Sequence, residues 1–184
     1  MSYEYWLTTC VIMVPGILWA SWIDYKERRV PNWLNAAIAA AGFAAQGWYY
    51  GLSGMGWGAV GLLIGFAVLI IPWLMHGMGA GDVKLMMAIG VWLGPALTLW
   101  SFLVGVLAGG VIAVVMIVSS GRLWNAWANM ATIMHKITNR STVFSEFGSA
   151  RSFGDTSQLL PYGVPLTIGT LAVFFVELAR MNAA

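Results

Sequence analysis

From Leu85 to Ser119 the chain carries no charged residue. As one helix this stretch would measure roughly 50 Å at ~1.5 Å per residue, against a bilayer hydrocarbon core of ~30 Å. It has no polar face to offer water, and it is too long to cross a membrane once. It should fold back on itself near Gly94-Pro95 or a little later, because proline breaks the helix that reaches it. The whole chain has the matching composition: 60% of residues are hydrophobic and 9% charged, where soluble domains have ~45–50% and ~25%. Mean hydropathy is +0.78. These features describe an all-α polytopic membrane protein with a single transmembrane domain over residues 1–184 and exclude an ordinary soluble enzyme.

A spanning helix needs ~20 mostly apolar residues. The first candidate runs from Tyr5 to Ile23, the second from about Trp33 to Tyr50 and the third from about Trp57 to Met75. The fourth and fifth share Leu85 to Ser119, and the sixth runs from Leu160 to Ala179. Eight of the nine Lys and Arg residues fall in alternate loops: Lys26, Arg28 and Arg29 in the first, Lys84 at the third, and Arg122, Lys136, Arg140 and Arg151 in the fifth. Only Arg180 falls on the other side. The excess of positive charge on cytoplasmic loops then predicts six helices with both termini on the non-cytoplasmic side. The first apolar run has no basic segment before it and carries Glu4, so it is expected to be a retained span and not a cleaved signal. Within the loop 120–157, Leu123, Trp124, Trp127, Met130, Ala131, Met134 and Ile137 recur at helical spacing, which predicts an interfacial amphipathic helix over 122–137.

Chemistry-bearing residues are few. One cysteine, Cys10, excludes an internal disulfide and a multi-cysteine zinc site. His76 and His135 lie far apart in sequence, and no metal or cofactor is expected. Two aspartates stand out. Asp24 closes the first span, ahead of a short loop in which Pro31 suits the first turn of the next helix. Asp82 follows Gly79-Ala80-Gly81 and precedes Lys84, at the start of the fourth span. A carboxylate at the edge of lipid is costly and marks a functional site. The structural alternatives are a boundary charge for Asp24 and an N-cap for Asp82. The charge pattern puts both on one face. Two carboxylates brought within a few ångströms cannot both ionise easily and would share a proton near neutral pH, an arrangement suited to water-mediated hydrolysis. No Gly-Lys-Ser/Thr follows the glycines, so this is no phosphate-binding loop.

Gly79-Ala80-Gly81-Asp82-Val83-Lys84 matches the Gly-x-Gly-Asp-x-Lys signature of the type IV prepilin peptidases. Asp24 with Pro31-Asn32 resembles the first-aspartate motif of that family, and Pro161-Tyr162-Gly163-Val164-Pro165 is similar to its C-terminal Pro-Tyr-Gly element. The resemblance implies an intramembrane aspartic endopeptidase that removes a short basic leader from pilin-like precursors at the cytoplasmic face of the inner membrane. It implies Asp24 and Asp82 as the catalytic pair, with Gly79, Gly81 and Lys84 in the active-site loop. The partners implied are a precursor with a hydrophobic N-terminal helix and the lipid bilayer, with no nucleic acid. Larger members also methylate the new N-terminus and carry Cys-x-x-Cys pairs in an insert. This chain has only Cys10 and a short first loop, so methylation is expected to be absent, and the compact form resembles the Flp-type, tight-adherence peptidases. The alternative from another class is a proton-coupled transporter with the aspartates as a relay.

Overall fold

Four helices hold the described residues together: α1 (Tyr3–Glu27), α2 (Asn32–Leu74), α3 (Ala80–Ser119) and α4 (Gly163–Ala183). A computed structural model describes residues 2–27, 29–74, 78–119 and 162–183. The expected amphipathic helix over 122–137, His76, and Pro161 lie outside the described residues. Each helix is long and apolar enough to cross a membrane. Their outward faces carry large apolar side chains, among them Val11, Leu18, Leu63, Ile71 and Val114, while buried positions include Ser21, Asp24, Asn35, Gln46, Asp82 and Thr167. Apolar outside with polar groups within is the distribution a lipid solvent selects.

Two of the helices are hairpins. α2 is interrupted at Gly51 (φ 62°, ψ −149°) and α3 at Gly94 (φ 73°, ψ 179°), backbone conformations open to glycine and strained for other residues. At Gly51 the chain reverses: a side chain at Gly54 would overlap the Gln46 carbonyl, although those residues would lie ~12 Å apart on a continuous helix. At Gly94 it reverses again. Asp82 lies near the Gly163 end of α4, and Gly105, on the far side of the break, packs on Pro165, close to that same end. The reversal at Gly94-Pro95 is where the sequence predicts it. The one at Gly51 differs from expectation. Residues 51–56 read as a loop, yet the helix runs to Tyr50 and resumes at once, because helix satisfies the backbone where no water can. Likewise α3 starts at Ala80, one turn before the expected Leu85.

The arms of the two hairpins approach as closely as helices can. Gly61 meets the Gly90 backbone, and Gly65 meets the Met86 carbonyl, with no room for a Cβ at any of the three glycines. Small residues that let backbones touch drive helix association where lipid removes the hydrophobic incentive.

The break at Gly94 leaves carbonyls without helical donors. The Val91 carbonyl would bond the nitrogen of residue 95, but Pro95 has no N–H. Gln46 Nε2 donates to it instead, at 3.1 Å, and Tyr5 Oη donates to the neighbouring Trp92 carbonyl at 2.6 Å. Trp92 Nε1 in turn donates to the Ile38 carbonyl at 2.9 Å. Gln46, Tyr5 and Trp92 are each at most 1% exposed. Together they tie α1 and the first arm of α2 to the first arm of α3. The two chain ends share this end of the bundle, where Trp6, Glu177 and Met181 line a cavity with Leu93 and Leu97. Asp24 and Asp82 lie at the other. Replacing Gln46 by leucine keeps the volume and strands the Val91 carbonyl. That is expected to cost about 1–3 kcal/mol and to appear as a lowered midpoint of thermal unfolding in detergent.

Candidate active site

α1 runs one turn beyond Asp24, to Glu27, so Asp24 is not the terminal residue that the sequence implies. Its side chain is 4% exposed and faces α4. The Gly163 N–H donates to Asp24 Oδ2 at 2.9 Å. Gly163 is the first residue of α4, and the first N–H groups of a helix have no partner within it. They also carry the positive end of its dipole, which favours a carboxylate. A Cβ on Gly163 would lie 2.9 Å from the same Oδ2. Glycine here is what lets the helix terminus reach the acid.

Asp82 lies in the first turn of α3 and is 5% exposed. Gly79 is the cap residue, so Asp82 occupies the third helical position and is not the N-cap that a simple reading suggests. Its own N–H donates to the Gly79 carbonyl at 3.2 Å, and its carboxylate hydrogen-bonds the Gly79 backbone. This is one half of a capping box, the acid reaching back to the cap backbone, because Gly79 has no side chain to return the bond. One carboxylate oxygen, Oδ1, is buried without a hydrogen-bond partner among the described residues. A purely structural cap would not strand an oxygen in this way, since leaving a buried acceptor unsatisfied costs about 1–3 kcal/mol.

The two carboxylates are close enough for the Asp24 charge to act directly on Asp82. The loop between α1 and α2 supports that approach. Pro31 is the cap of α2 and not its first helical residue: its carbonyl accepts the Asn35 N–H at 3.3 Å. Gly81 packs against the Val30 backbone, where a Cβ would lie 3.0 Å from the Val30 carbonyl oxygen. Asn35 Nδ2 donates to the Gly81 carbonyl at 2.9 Å. Lys84 does not turn toward the aspartates. It is exposed, and its Nζ donates to Asn32 Oδ1 at 2.8 Å, bridging the two sequence motifs at the rim. Gly79 is exposed beside Asp82 Oδ2, 3.3 Å from where its Cβ would stand.

Tyr162, just before Gly163, is the third titratable group of the cluster. Burial, and then the negative charge of Asp82, raise its phenol above the ordinary value. One turn, Tyr162-Gly163, thus faces both acids. Sequence reasoning singles out that turn only as part of a motif; it does not find Ser21, Asn35 or Thr167, which are ordinary helix residues until the helices are packed. Among the described residues no group of three or more His, Cys, Asp or Glu side chains could hold a metal ion.

The type IV leader peptidase family model matches residues 11–114, a span that holds both aspartates and stops short of Gly163. No curated protein and no solved structure matches the chain.

A neighbouring negative charge disfavours phenolate, so Asp82→Asn is expected to lower the titration midpoint of Tyr162. It should stay above the ordinary ~10, since burial, the larger cause, is unchanged. Tyrosine ¹³Cζ shifts in detergent, assigned with Tyr162→Phe, measure this directly.

Proposed function

The chain belongs to the type IV leader peptidase family, and from that premise we propose that it is an intramembrane aspartic endopeptidase acting through Asp24 and Asp82. The observation that carries the reading is their convergence: two carboxylates, 4% and 5% exposed, near enough for the charge of one to act on the other inside an apolar bundle. A pair so placed shares one proton. The ionised member takes a proton from a water molecule as that water attacks the scissile carbonyl carbon. The protonated member gives its proton to the carbonyl oxygen. In the resulting tetrahedral diol the newly protonated acid gives its proton to the nitrogen while its partner takes one from a diol hydroxyl, the C–N bond breaks to leave a carboxylic acid and an amine, and the pair again holds one proton. The unpartnered Asp82 Oδ1 suits this chemistry, because it is an oxygen with bonding capacity to spare for water or substrate.

The substrate class is a pilin-like precursor, cut between a short basic leader and a hydrophobic helix, with Flp-type pilins as the expected subset. The protein is read as lying in the inner membrane with six spans, the two hairpins each supplying two, and with the aspartates toward the cytoplasm. Lys26, Arg29 and Lys84 near the aspartates support that orientation. The second arm of α3 supports a site below the membrane surface. From Gly105, which packs on Pro165, it continues to Ser119, roughly 21 Å, and Val106, Leu107, Val111, Val114 and Val115 are exposed along it. Those residues belong in lipid, so the acids beside the start of that stretch sit within it too. With only Cys10 in the chain, N-methylation of the product is assigned to another protein or to none.

Co-expression of a pilin-type precursor with the wild-type chain should yield the shortened product, with an unmethylated N-terminus by mass spectrometry. Asp24→Asn and Asp82→Asn should each reduce cleavage at least 1000-fold while the protein still inserts. Substantial processing by either stably inserted variant would remove the paired-acid mechanism. Gly163→Ala should lower the rate at least tenfold, because its methyl group must displace the Asp24 carboxylate.

A further inference from the structure

α1 and α4 are joined by a short polar ladder that the cleavage chemistry does not use. Ile17, Ser21 and Asp24 lie on one face of α1, at the four- and three-residue spacing that stacks side chains along a helix. Facing them on α4 are Gly163 and Thr167, four residues apart. Ser21 Oγ donates to the Gly163 carbonyl at 3.0 Å. The Ser21 and Thr167 hydroxyls lie 2.5 Å apart, and Thr167 Oγ1 is 3.4 Å from the Ile17 carbonyl. Ser21 is 9% exposed and Thr167 3%.

Each hydroxyl has one proton to give. Two single-direction arrangements use both: Thr167 to Ser21 to the Gly163 carbonyl, and Ser21 to Thr167 to the Ile17 carbonyl; the first ends on the shorter contact, 3.0 Å against 3.4 Å. Gly163 is therefore held at two points by α1. Its carbonyl accepts from Ser21, and its N–H donates to Asp24 Oδ2. Elsewhere the two helices meet through apolar contacts such as Trp6 with Phe174, which resist separation more than they resist sliding. The ladder supplies the register, one turn below the carboxylate.

We infer that Ser21 and Thr167 are positioning residues for the cleavage reaction: the pair locks α4 against α1 so that the Gly163 N–H meets Asp24 and Tyr162 stays beside Asp82. The inference rests on the peptidase reading. Neither residue reaches the reacting atoms, and neither lies in the motifs that carry the family resemblance. Displacements of about 1 Å in a catalytic constellation can cost on the order of 100-fold in rate, so a two-hydroxyl register device has leverage out of proportion to its contribution to stability.

The test uses the full chain, purified in detergent, with a pilin-type precursor as substrate. Ser21→Ala and Thr167→Val are expected to lower kcat about tenfold each, with KM little changed, because the ladder positions an acid and not the substrate. The double variant should be no slower than about either single one, since both break the same chain. Thr167→Ser, which keeps the hydroxyl, should recover most of the rate, and unfolding midpoints should stay within a few degrees of wild type. Wild-type kcat in both single variants would overturn the inference, as would a Thr167→Ser variant no faster than Thr167→Val. A wild-type chain that cleaves no pilin-type precursor would sink the peptidase reading itself. The ladder is then read by hydrogen–deuterium exchange at the Gly163 amide, expected to quicken at least tenfold in Ser21→Ala; unchanged exchange would overturn the register role independently of activity.

Discussion

Backbone polar groups that meet no water must be bonded within the protein, and each left unbonded in lipid costs several kcal/mol. That cost exceeds the ~1 kcal/mol scale of helix propensity differences, and it decides the architecture here. The sequence breaks α3 at Gly94-Pro95, and the break strands carbonyls at the end of its first arm. Gln46 and Tyr5 bond the carbonyls of Val91 and Trp92, while Trp92 bonds Ile38. To do so, α1 and the first arm of α2 must both lie against this arm in one register. The same arm carries Asp82 at its other end. Satisfying one end of the helix therefore determines what surrounds the acid at the opposite end.

Close packing completes what hydrogen bonding begins. Gly61 and Gly90 bring the second arm of α2 and the first arm of α3 into backbone contact, and Gly81 does the same for the Val30 loop. The small residues hold the bundle together and deny water a path along these seams. An electrostatic interaction between the two acids is stronger in such surroundings than it would be in water. The fold thus makes the pair chemically unusual by controlling its solvent, with no need for an exotic side chain.

Much of this was legible in the sequence. The helical class followed from composition, and the reversal at Gly94-Pro95 from the length of the uncharged run. Asp24 and Asp82 were legible because a carboxylate among apolar residues is conspicuous. The expected loop over 51–56 shrank to a single break at Gly51, because Gly54 and Gly58 loosen the local pattern but serve packing in the tertiary structure. The ends of α1, the placing of Pro31 in the first turn of α2 and the N-cap alternative for Asp82 were off by a residue to a turn, the usual uncertainty at helix termini. Ser21, Asn35 and Thr167 were not legible at all. Serine, asparagine and threonine carry no distinctive local signal inside a helix. Their meaning arises from partners 142, 46 and 146 residues away, and only packing reveals such pairs.

The bond between Gly163 and Asp24 also sets a schedule. The two residues are separated by 139 positions. At ~5–20 residues per second of synthesis, the aspartate emerges roughly 7–28 s before the amide that will receive it. During that interval the first acid exists without the wall that α4 provides. A half-made chain therefore carries both acids without the helix end that bonds Asp24, and the proposed site is complete only when the late helix docks against the early one.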